Sequence, residues 1–173
     1  FLDDFYESFP DYIGKKMGPV LRSFMLAIAD ATNSQIGVEG DNIDTEIQEY
    51  IDRYTERHIE SSHGQMVALL EGDIEGLITR ADEWEERRPQ KIEADETVRA
   101  TNYIFQAAVF GAGMSTVLRN RGAKTCPFCR KLAGRRVSKG GKPLVADGEK
   151  LSSGGAEAPM LIRGNKFHVP IHR

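Results

Sequence analysis

Cysteine, tryptophan and long hydrophobic runs are all scarce in this chain of 173 residues, which contains two cysteines and one tryptophan. Two cysteines are too few for a disulfide framework, so their C-x-x-C spacing indicates a metal site or redox chemistry. No apolar run approaches about 18 residues, which argues against a transmembrane helix. We therefore expect no membrane partner for this chain.

Common catalytic signatures are missing as well. The sequence holds no H-E-x-x-H, G-x-S-x-G, P-loop or G-x-G-x-x-G motif, and no His-x-Glu of the kind a zinc deaminase requires. Glu83, Glu85 and Glu86 form a charge run that indicates a solvated helical face. His58 and His63 are five residues apart and do not share a helical face, so we expect them at the surface. The sequence predicts a protein that is not an enzyme.

Charge is divided unevenly along the chain. Residues 1–118 contain ten Lys and Arg against 23 Asp and Glu, a net charge of −13. Residues 119–173 contain 13 against three, a net charge of +10. One interpretation is an acidic helical face that attracts a basic tail. The other is a basic module that meets DNA or an acidic protein surface.

Apolar residues recur at three- and four-residue intervals through most of residues 1–118, and this spacing predicts helices. One helix is expected from Gly14 to Ala31. A second should begin at Asp41 or Asn42 and continue to about Leu70, and the pattern leaves open an interruption near residues 61–64.

Two further helices are expected before the basic region. A short one should end at Pro89, because proline disrupts a helix interior. Another should span residues 92–118. Gly111 and Gly113 lie inside this last pattern, where glycine weakens an exposed helix, so we expect them to permit close approach of a second helix.

The C-terminal third changes character. Residues 124–137 are basic and turn-rich, with a predicted strand at residues 135–137. Residues 138–158 include five glycines, which predicts a long mobile loop. Residues 160–162 are expected to form a strand returning toward the cysteine turn. A loop of this length is costly unless its ends are tied, and a shared metal would tie them.

The metal hypothesis rests on two short motifs. Cys126 and Cys129 place two thiols on one turn, and His168 and His172 near the C-terminus supply an H-x3-H pair. Zinc favours such a Cys2His2 set. Four protein ligands would make this Zn²⁺ structural, because a catalytic zinc keeps one position open.

Cys-Pro-Phe-Cys also matches the dithiol motif of glutaredoxins, with Val169-Pro170 standing about where that fold places its cis-proline loop. A glutaredoxin-like thiol oxidoreductase needs a hydrophobic strand directly before the first cysteine and a helix directly after the motif. The sequence before Cys126 is polar and basic instead, and a glycine-rich stretch soon follows Cys129. Redox catalysis is therefore the weaker interpretation.

Arginines surround the cysteine turn and are the candidate contacts to a nucleic acid or a protein partner. Phe128 is the one aromatic residue there, so no base-stacking platform is indicated. The candidate contact residues are Arg119, Arg121, Arg130, Arg135 and Arg136.

From about Ile92 onward the chain resembles the phage head morphogenesis family, the minor head proteins typified by the F protein of phage Mu. The family pattern is a helix with Arg, Glu and Asn positions, a glycine, a Cys-x-x-Cys turn followed by Leu-x-Gly, a variable loop and a His-Pro-Pro-Leu/Ile-His block leading into Cys-x-Cys. The matching residues are Glu96, Arg99, Asn102, Gly111 or Gly113, Thr125–Cys129, Leu132–Gly134 and His168–Arg173.

This resemblance covers roughly the last 80 residues and has two departures. Val169 replaces the first proline of the histidine block, and the closing Cys-x-Cys is absent because the chain stops at Arg173. If the family's metal site uses those cysteines, His168 is only structural. We therefore expect the chain to be a piece of a longer protein, truncated within its C-terminal module.

The resemblance implies a structural protein of the virion that associates with the portal and major capsid proteins at the capsid interior, after assembly in the host cytoplasm. Packaged DNA is a further expected partner. The alternative is a zinc-dependent nucleic-acid-binding module. The expected fold is mainly α: an antiparallel helical domain over residues 1–118, then a small β zinc-knuckle module with a long glycine-rich loop over residues 119–173.

Overall fold

A computed structural model describes residues 2–39, 43–70, 74–117 and 126–162. Within these ranges the protein is mainly helical, as the apolar spacing predicts. The helices are α1 (Leu2–Ile36), α2 (Asp44–Leu70), α3 (Ile74–Gly111) and α4 (Pro127–Lys131), and the strands are β1 (Thr116–Val117), β2 (Arg136–Val137), β3 (Lys150–Leu151) and β4 (Met160–Leu161).

The strands form two small antiparallel sheets. β1 pairs with β2, and β3 pairs with β4. The predicted strands at residues 135–137 and 160–162 are confirmed as β2 and β4. None of the described helices is long and apolar enough to cross a membrane.

Packing divides the chain into two compact units. The first, here the helical unit, comprises Phe1–Asp30 and Asn42–Ile104. The second, here the C-terminal unit, comprises Ala31–Asp41 and Phe105–Arg173.

The core of the helical unit is formed by the apolar stripes of its three long helices. Met25 of α1, Ile47 of α2 and both Ala100 and Ile104 of α3 have no exposed surface. Full burial of a large aliphatic side chain stabilises a fold by about 1.5–3 kcal/mol. Met25 and Ile47 belong to the stripes predicted from the sequence, whereas the predicted face of the last helix contained Phe105, which is 39% exposed, instead of Ala100 and Ile104.

α3 continues through Pro89, so the prediction of two helices separated there is wrong. Trp84, Ile92 and Glu96 follow one another at multiples of four residues and therefore lie on one face of a continuous helix. That face lines clefts of the helical unit on both sides of the proline. Pro89 and Glu85 are exposed, so water can satisfy the Glu85 carbonyl that loses its helical partner.

The other long helices differ from their predictions in different ways. α1 extends beyond the expected Gly14–Ala31 segment and contains Pro10 and Pro19. α2 runs without interruption through residues 61–64. Ser62 is buried there, and its hydroxyl donates a hydrogen bond to the His58 carbonyl at 2.7 Å. This bond satisfies the buried hydroxyl within the helix itself.

For Gly113 the expectation of a close helix approach is wrong as well, since a Cβ there would meet nothing within 4 Å. α3 ends at Gly111, and Gly113 has φ +72°, a left-handed conformation that suits glycine. The Met114 amide donates to the Val109 carbonyl at 3.0 Å, and the Gly113 amide donates to the Phe110 carbonyl at 3.0 Å. These are the two hydrogen bonds of a Schellman cap. Gly113 therefore terminates α3 and is not a contact point for a second helix.

The glycine-rich segment 138–158 contributes side chains to the core of the C-terminal unit and also contains β3. Leu144, Val145 and Leu151 are each no more than 3% exposed. A Cβ at position 141 would lie 3.0 Å from the Ser138 carbonyl oxygen and 2.8 Å from its hydroxyl oxygen, so a side chain there would crowd the turn and glycine is favoured. The sequence predicts a loop here because the apolar residues are few, but the structure shows that those few are buried.

Candidate functional site

The cysteine turn is built by the first turn of α4. Cys126 caps the helix in an extended conformation, and Pro127 follows as its first residue, where the missing amide hydrogen costs nothing. The Cys126 sulfur accepts a hydrogen bond from the Cys129 amide at 3.3 Å. Arg130 and Lys131 occupy the last turn, where positive charge complements the helix dipole. Local sequence therefore specifies the geometry of both thiols.

A hydrophobic cluster supports this turn. Cys129 is 5% exposed and packs in a buried cluster that also contains Leu132 and Val137. The remaining buried members are Leu144, Val145, Leu151 and Ile162, and the partly buried Phe110, Cys126, Phe128 and Met160 pack against them. The residue after β4 thus returns to the cysteine turn, in agreement with the predicted direction of that strand.

Hydrogen bonds connect the glycine-rich segment 138–158 to α4 and to Arg135, which follows α4. The Ser153 hydroxyl donates to the Pro127 carbonyl at 2.8 Å, and the Lys131 ammonium donates to the Ser152 carbonyl at 2.7 Å. The Arg135 guanidinium donates to the Leu144 carbonyl at 2.6 Å. The segment is therefore held along its length by side chains as well as by its buried leucines.

The predicted contact arginines have different environments. Arg130 on α4 and Arg136 on β2 are exposed, which suits a contact role. Arg135 is engaged by the Leu144 carbonyl and therefore has a structural partner. Arg119 and Arg121 lie outside the described residues.

The predicted metal ligands are only partly within the described chain. Cys126 and Cys129 are both reduced and share one helical turn, whereas His168 and His172 lie outside the described residues. Within residues 2–39, 43–70, 74–117 and 126–162, no group of three or more His, Cys, Asp or Glu side chains could hold a metal. The described donors thus fit half of a tetrahedral site, and the amide hydrogen bond to the Cys126 sulfur is a contact that would favour a thiolate ligand.

A second polar cluster was not predicted from the sequence. Glu96 of α3 is 7% exposed, and its carboxylate accepts a hydrogen bond from the Tyr50 hydroxyl at 2.8 Å. Arg57 donates to the same oxygen at 2.9 Å, and Arg99 donates to the other oxygen at 3.5 Å. The carboxylate is therefore paired as a buried charge must be.

His58 adjoins this cluster, with its Nε2 atom 4.0 Å from a Glu96 carboxylate oxygen. Its side chain is only 17% exposed, so the expectation of a surface histidine is wrong. Burial lowers the pKa of His58, although the nearby Glu96 carboxylate opposes that change. Burial, followed by the Glu96 charge, raises the pKa of the Tyr50 hydroxyl, which therefore remains a hydrogen-bond donor at neutral pH.

The signal for the Glu96 cluster was present in the sequence but ambiguous. Tyr50, Tyr54 and His58 recur every four residues, a spacing that also describes an ordinary apolar stripe. Only their packing against α3 shows that a carboxylate from another helix meets this stripe.

Comparison of the chain with protein-family models, with curated proteins and with solved structures finds no match in any of the three.

Proposed function

We propose that this chain is a structural phage minor head or head morphogenesis protein whose C-terminal unit is stabilised by a bound zinc ion. The observation that carries the proposal is the pair of reduced thiols on one turn of α4, backed by a buried hydrophobic cluster. Their C-x-x-C spacing belongs to the ordered set of motifs shared with the phage head morphogenesis family. The function is docking during head assembly, not catalysis.

Zn²⁺ would be held by Cys126 and Cys129 together with His168 and His172. It would supply folding free energy to a unit whose core contains few large side chains, since binding to the folded state alone stabilises that state. The buried Cys129 would couple the ion to Leu132 and Leu151 of the hydrophobic cluster. A rigid, basic docking surface would result.

The partners would be the portal and major capsid proteins, with packaged DNA as a further contact, inside the virion. Arg130 and Arg136 are exposed on the C-terminal unit, and Arg119 and Arg121 stand close to the cysteine turn in sequence. Positive charge on this unit would complement acidic protein surfaces or phosphates.

A zinc-stabilised nucleic-acid-binding module is the second candidate, favoured by the net charge of +10 over residues 119–173. Its affinity for generic duplex DNA would fall steeply as salt increases, because phosphate contacts release counterions. A head protein would instead bind portal or capsid protein without DNA.

The thiol oxidoreductase interpretation gains little support. α4 has only five residues, and the strands in the described ranges form two two-stranded antiparallel sheets. A glutaredoxin-like site needs a longer helix after the dithiol and a larger central sheet.

The metal is tested by elemental analysis of freshly purified, reduced protein. About one zinc per chain is expected, as for a closed structural site. Cys126→Ser, Cys129→Ser and His168→Gln should each lose the ion and loosen the C-terminal unit. His63→Gln is the matched control and should retain it. Protein that carries no zinc when purified under reducing conditions would contradict the metal proposal.

The docking role is tested by replacing two exposed arginines together, since single exposed charges contribute little. Arg130→Ala/Arg136→Ala should weaken binding to purified portal and capsid proteins of the phage that encodes the chain. Arg87→Ala/Lys91→Ala removes the same charge from exposed positions of α3 and is the control. Equal binding by both double variants would contradict the proposed surface, and binding to DNA alone would favour the second candidate. Arg135 is left intact because its loss would also disturb the fold.

A further inference from the structure

The helical unit contains an apolar cleft that the proposed head-assembly role does not use. Its volume is about 560 Å³, within the range of about 300–1,000 Å³ typical of small-molecule sites. All three long helices line it, with Phe5 and Phe9 from α1, Met66 from α2, and Leu77 and Trp84 from α3. Phe5 is 45% exposed, so a large aromatic surface there faces solvent.

The polar side chains that line this cleft are those of Arg88, His58, Ser62, Tyr6 and Tyr54, and Arg88 is the one basic residue of fixed charge among the described lining residues. Arg88 lies over the Trp84 ring, with the guanidinium carbon 4.1 Å from the ring centroid. His58 also lines the cleft, and its Nε2 atom is buried without a hydrogen-bond partner among the described residues. The described lining residues include no carboxylate. The described lining therefore carries the positive charge of Arg88 and no carboxylate, and the nearest carboxylate noted above, Glu96, lies 4.0 Å from the His58 Nε2 atom.

Arg88 differs from the other half-buried arginines of this unit. Arg57 and Arg99 are paired with Glu96, and Arg80 is paired with Glu83. Within the part of the chain that the structure describes, Arg88 makes no ion pair with a carboxylate, and its guanidinium lies over the Trp84 ring and near Tyr6 and Tyr54. Burial lowers the pKa of Arg88, consistent with a guanidinium withdrawn from water. A charge so placed favours an anionic ligand, which would form charge-assisted hydrogen bonds with it.

We propose that this cleft binds a monomeric anionic amphiphile, a molecule with one apolar chain and a carboxylate or phosphate head. The head would pair with Arg88, and the chain would extend between Phe9, Met66 and Leu77. The net charge of −13 over residues 1–118 disfavours a large acidic partner, whereas a single-chain amphiphile carries little charge. The inference is independent of the zinc and head-assembly proposals.

The first experiment uses the full chain and the change in Trp84 fluorescence, since Trp84 is the one tryptophan of the chain and lies on the cleft wall. Dodecanoate, dodecanol and dodecyltrimethylammonium are titrated below their critical micelle concentrations. Dodecanoate should bind saturably, and both other probes should bind at least about tenfold more weakly, because a hydrogen bond to a charged group is lost. Equal binding of dodecanoate and dodecanol would overturn the proposal.

The second experiment assigns the head group to Arg88 by calorimetry, which does not depend on the stacked tryptophan. Arg88→Gln should weaken dodecanoate binding about tenfold or more and change dodecanol binding less than about twofold. Arg88→Lys should recover part of the loss. Arg87→Gln, an exposed neighbour that lines neither described apolar cleft, should bind as the parent does.

Two further outcomes are decisive. If Arg87→Gln weakens binding as much as Arg88→Gln, the effect is general electrostatics and the site is wrong. If the protein binds vesicles of anionic phospholipid but no monomeric dodecanoate, it adsorbs to membrane surfaces and the proposed binding of an amphiphile in the cleft is wrong. If circular dichroism shows that Arg88→Gln does not fold, the proposal is tested by the titrations of the parent protein with dodecanoate, dodecanol and dodecyltrimethylammonium.

Discussion

The Tyr50 hydroxyl of α2 donates a 2.8 Å hydrogen bond to the buried carboxylate of Glu96 on α3. Both side chains are almost completely buried, at 4% and 7% exposure. A buried carboxylate is tolerated only where donors surround it, and Arg57 and Arg99 complete the set here. This polar cluster therefore fixes the position of α3 on α2 within the helical unit.

Tyr50→Phe should lower the free energy of unfolding by about 2 kcal/mol, since a hydrogen bond to a charged group contributes about 1.5–3 kcal/mol. In a Glu96→Gln background the same change should cost about half as much, because the acceptor is then neutral. Urea unfolding of the four proteins in this cycle measures the difference. Tyr103→Phe is the control and should cost less than about 0.5 kcal/mol, since that hydroxyl only reaches an exposed Glu49 oxygen at 3.4 Å. Equal costs for Tyr50→Phe in both backgrounds would contradict a direct Tyr50–Glu96 bond.

Stability should decrease as pH falls through about 6.5, the ordinary pKa of histidine. Burial lowers the folded-state pKa of His58, with Arg57, Arg88 and Arg99 acting in the same direction and Glu96 against it. The unfolded chain therefore binds more protons in the interval between the two pKa values, so acid favours unfolding there. The contribution of neutral His58 to the free energy of unfolding is therefore complete above the unfolded-state pKa. It is lost as the pH falls toward the folded-state pKa.

His58→Phe should flatten this part of the pH profile while keeping the ring contact with Tyr54, whose centroid lies 4.3 Å away. Thermal unfolding between pH 5 and pH 7.5, together with the proton resonances of the imidazole, measures the effect. An imidazole midpoint at or above 6.5 would show that burial does not control this group.

Leu144→Ala and Leu151→Ala should each destabilise the C-terminal unit by about 2–4 kcal/mol, because both side chains are buried in its hydrophobic cluster. Leu161→Ala is the matched control, since Leu161 is 54% exposed and should cost less than about 0.5 kcal/mol. Amide hydrogen exchange over residues 126–162 reports the loss locally. The Gly148 and Ile162 amides, which donate to Ile162 and Glu149 carbonyls, should be protected in the parent and lose protection in the two core variants. Rapid exchange of both amides in the parent protein would instead support the expectation of a mobile loop.

Pro89→Ala should stabilise the helical unit by about 1–3 kcal/mol, because proline inside a helix removes a hydrogen bond and strains the preceding turn. Pro89→Gly should gain about 1 kcal/mol less, as glycine is the weaker helix former. The comparison is made by urea unfolding followed through helical circular dichroism. A destabilised Pro89→Ala protein would indicate that the ring contributes packing in the cleft it lines.

Periodicity in the sequence was sufficient to identify the helical class and the principal stripes of the core. Met25 and Ile47 fall on predicted stripes and are completely buried. The spacing of apolar residues is a local property, so it indicates a helix without any knowledge of the segment that the helix packs against. Pro89 predicts a helix end from local sequence alone, but α3 is continuous because Trp84 and Ile92, on either side of the proline, both pack along the clefts of the helical unit.

The sequence by itself determined the local geometry of the cysteine turn, because a capping residue, a proline and a basic last turn act within the six consecutive positions 126–131. It also determined β2 and β4. Only the tertiary structure decided that Glu96 meets Tyr50, that His58 is buried, and that Leu144 and Leu151 are core residues. These depend on contacts between residues far apart in the chain, and no short sequence window contains both partners of such a contact.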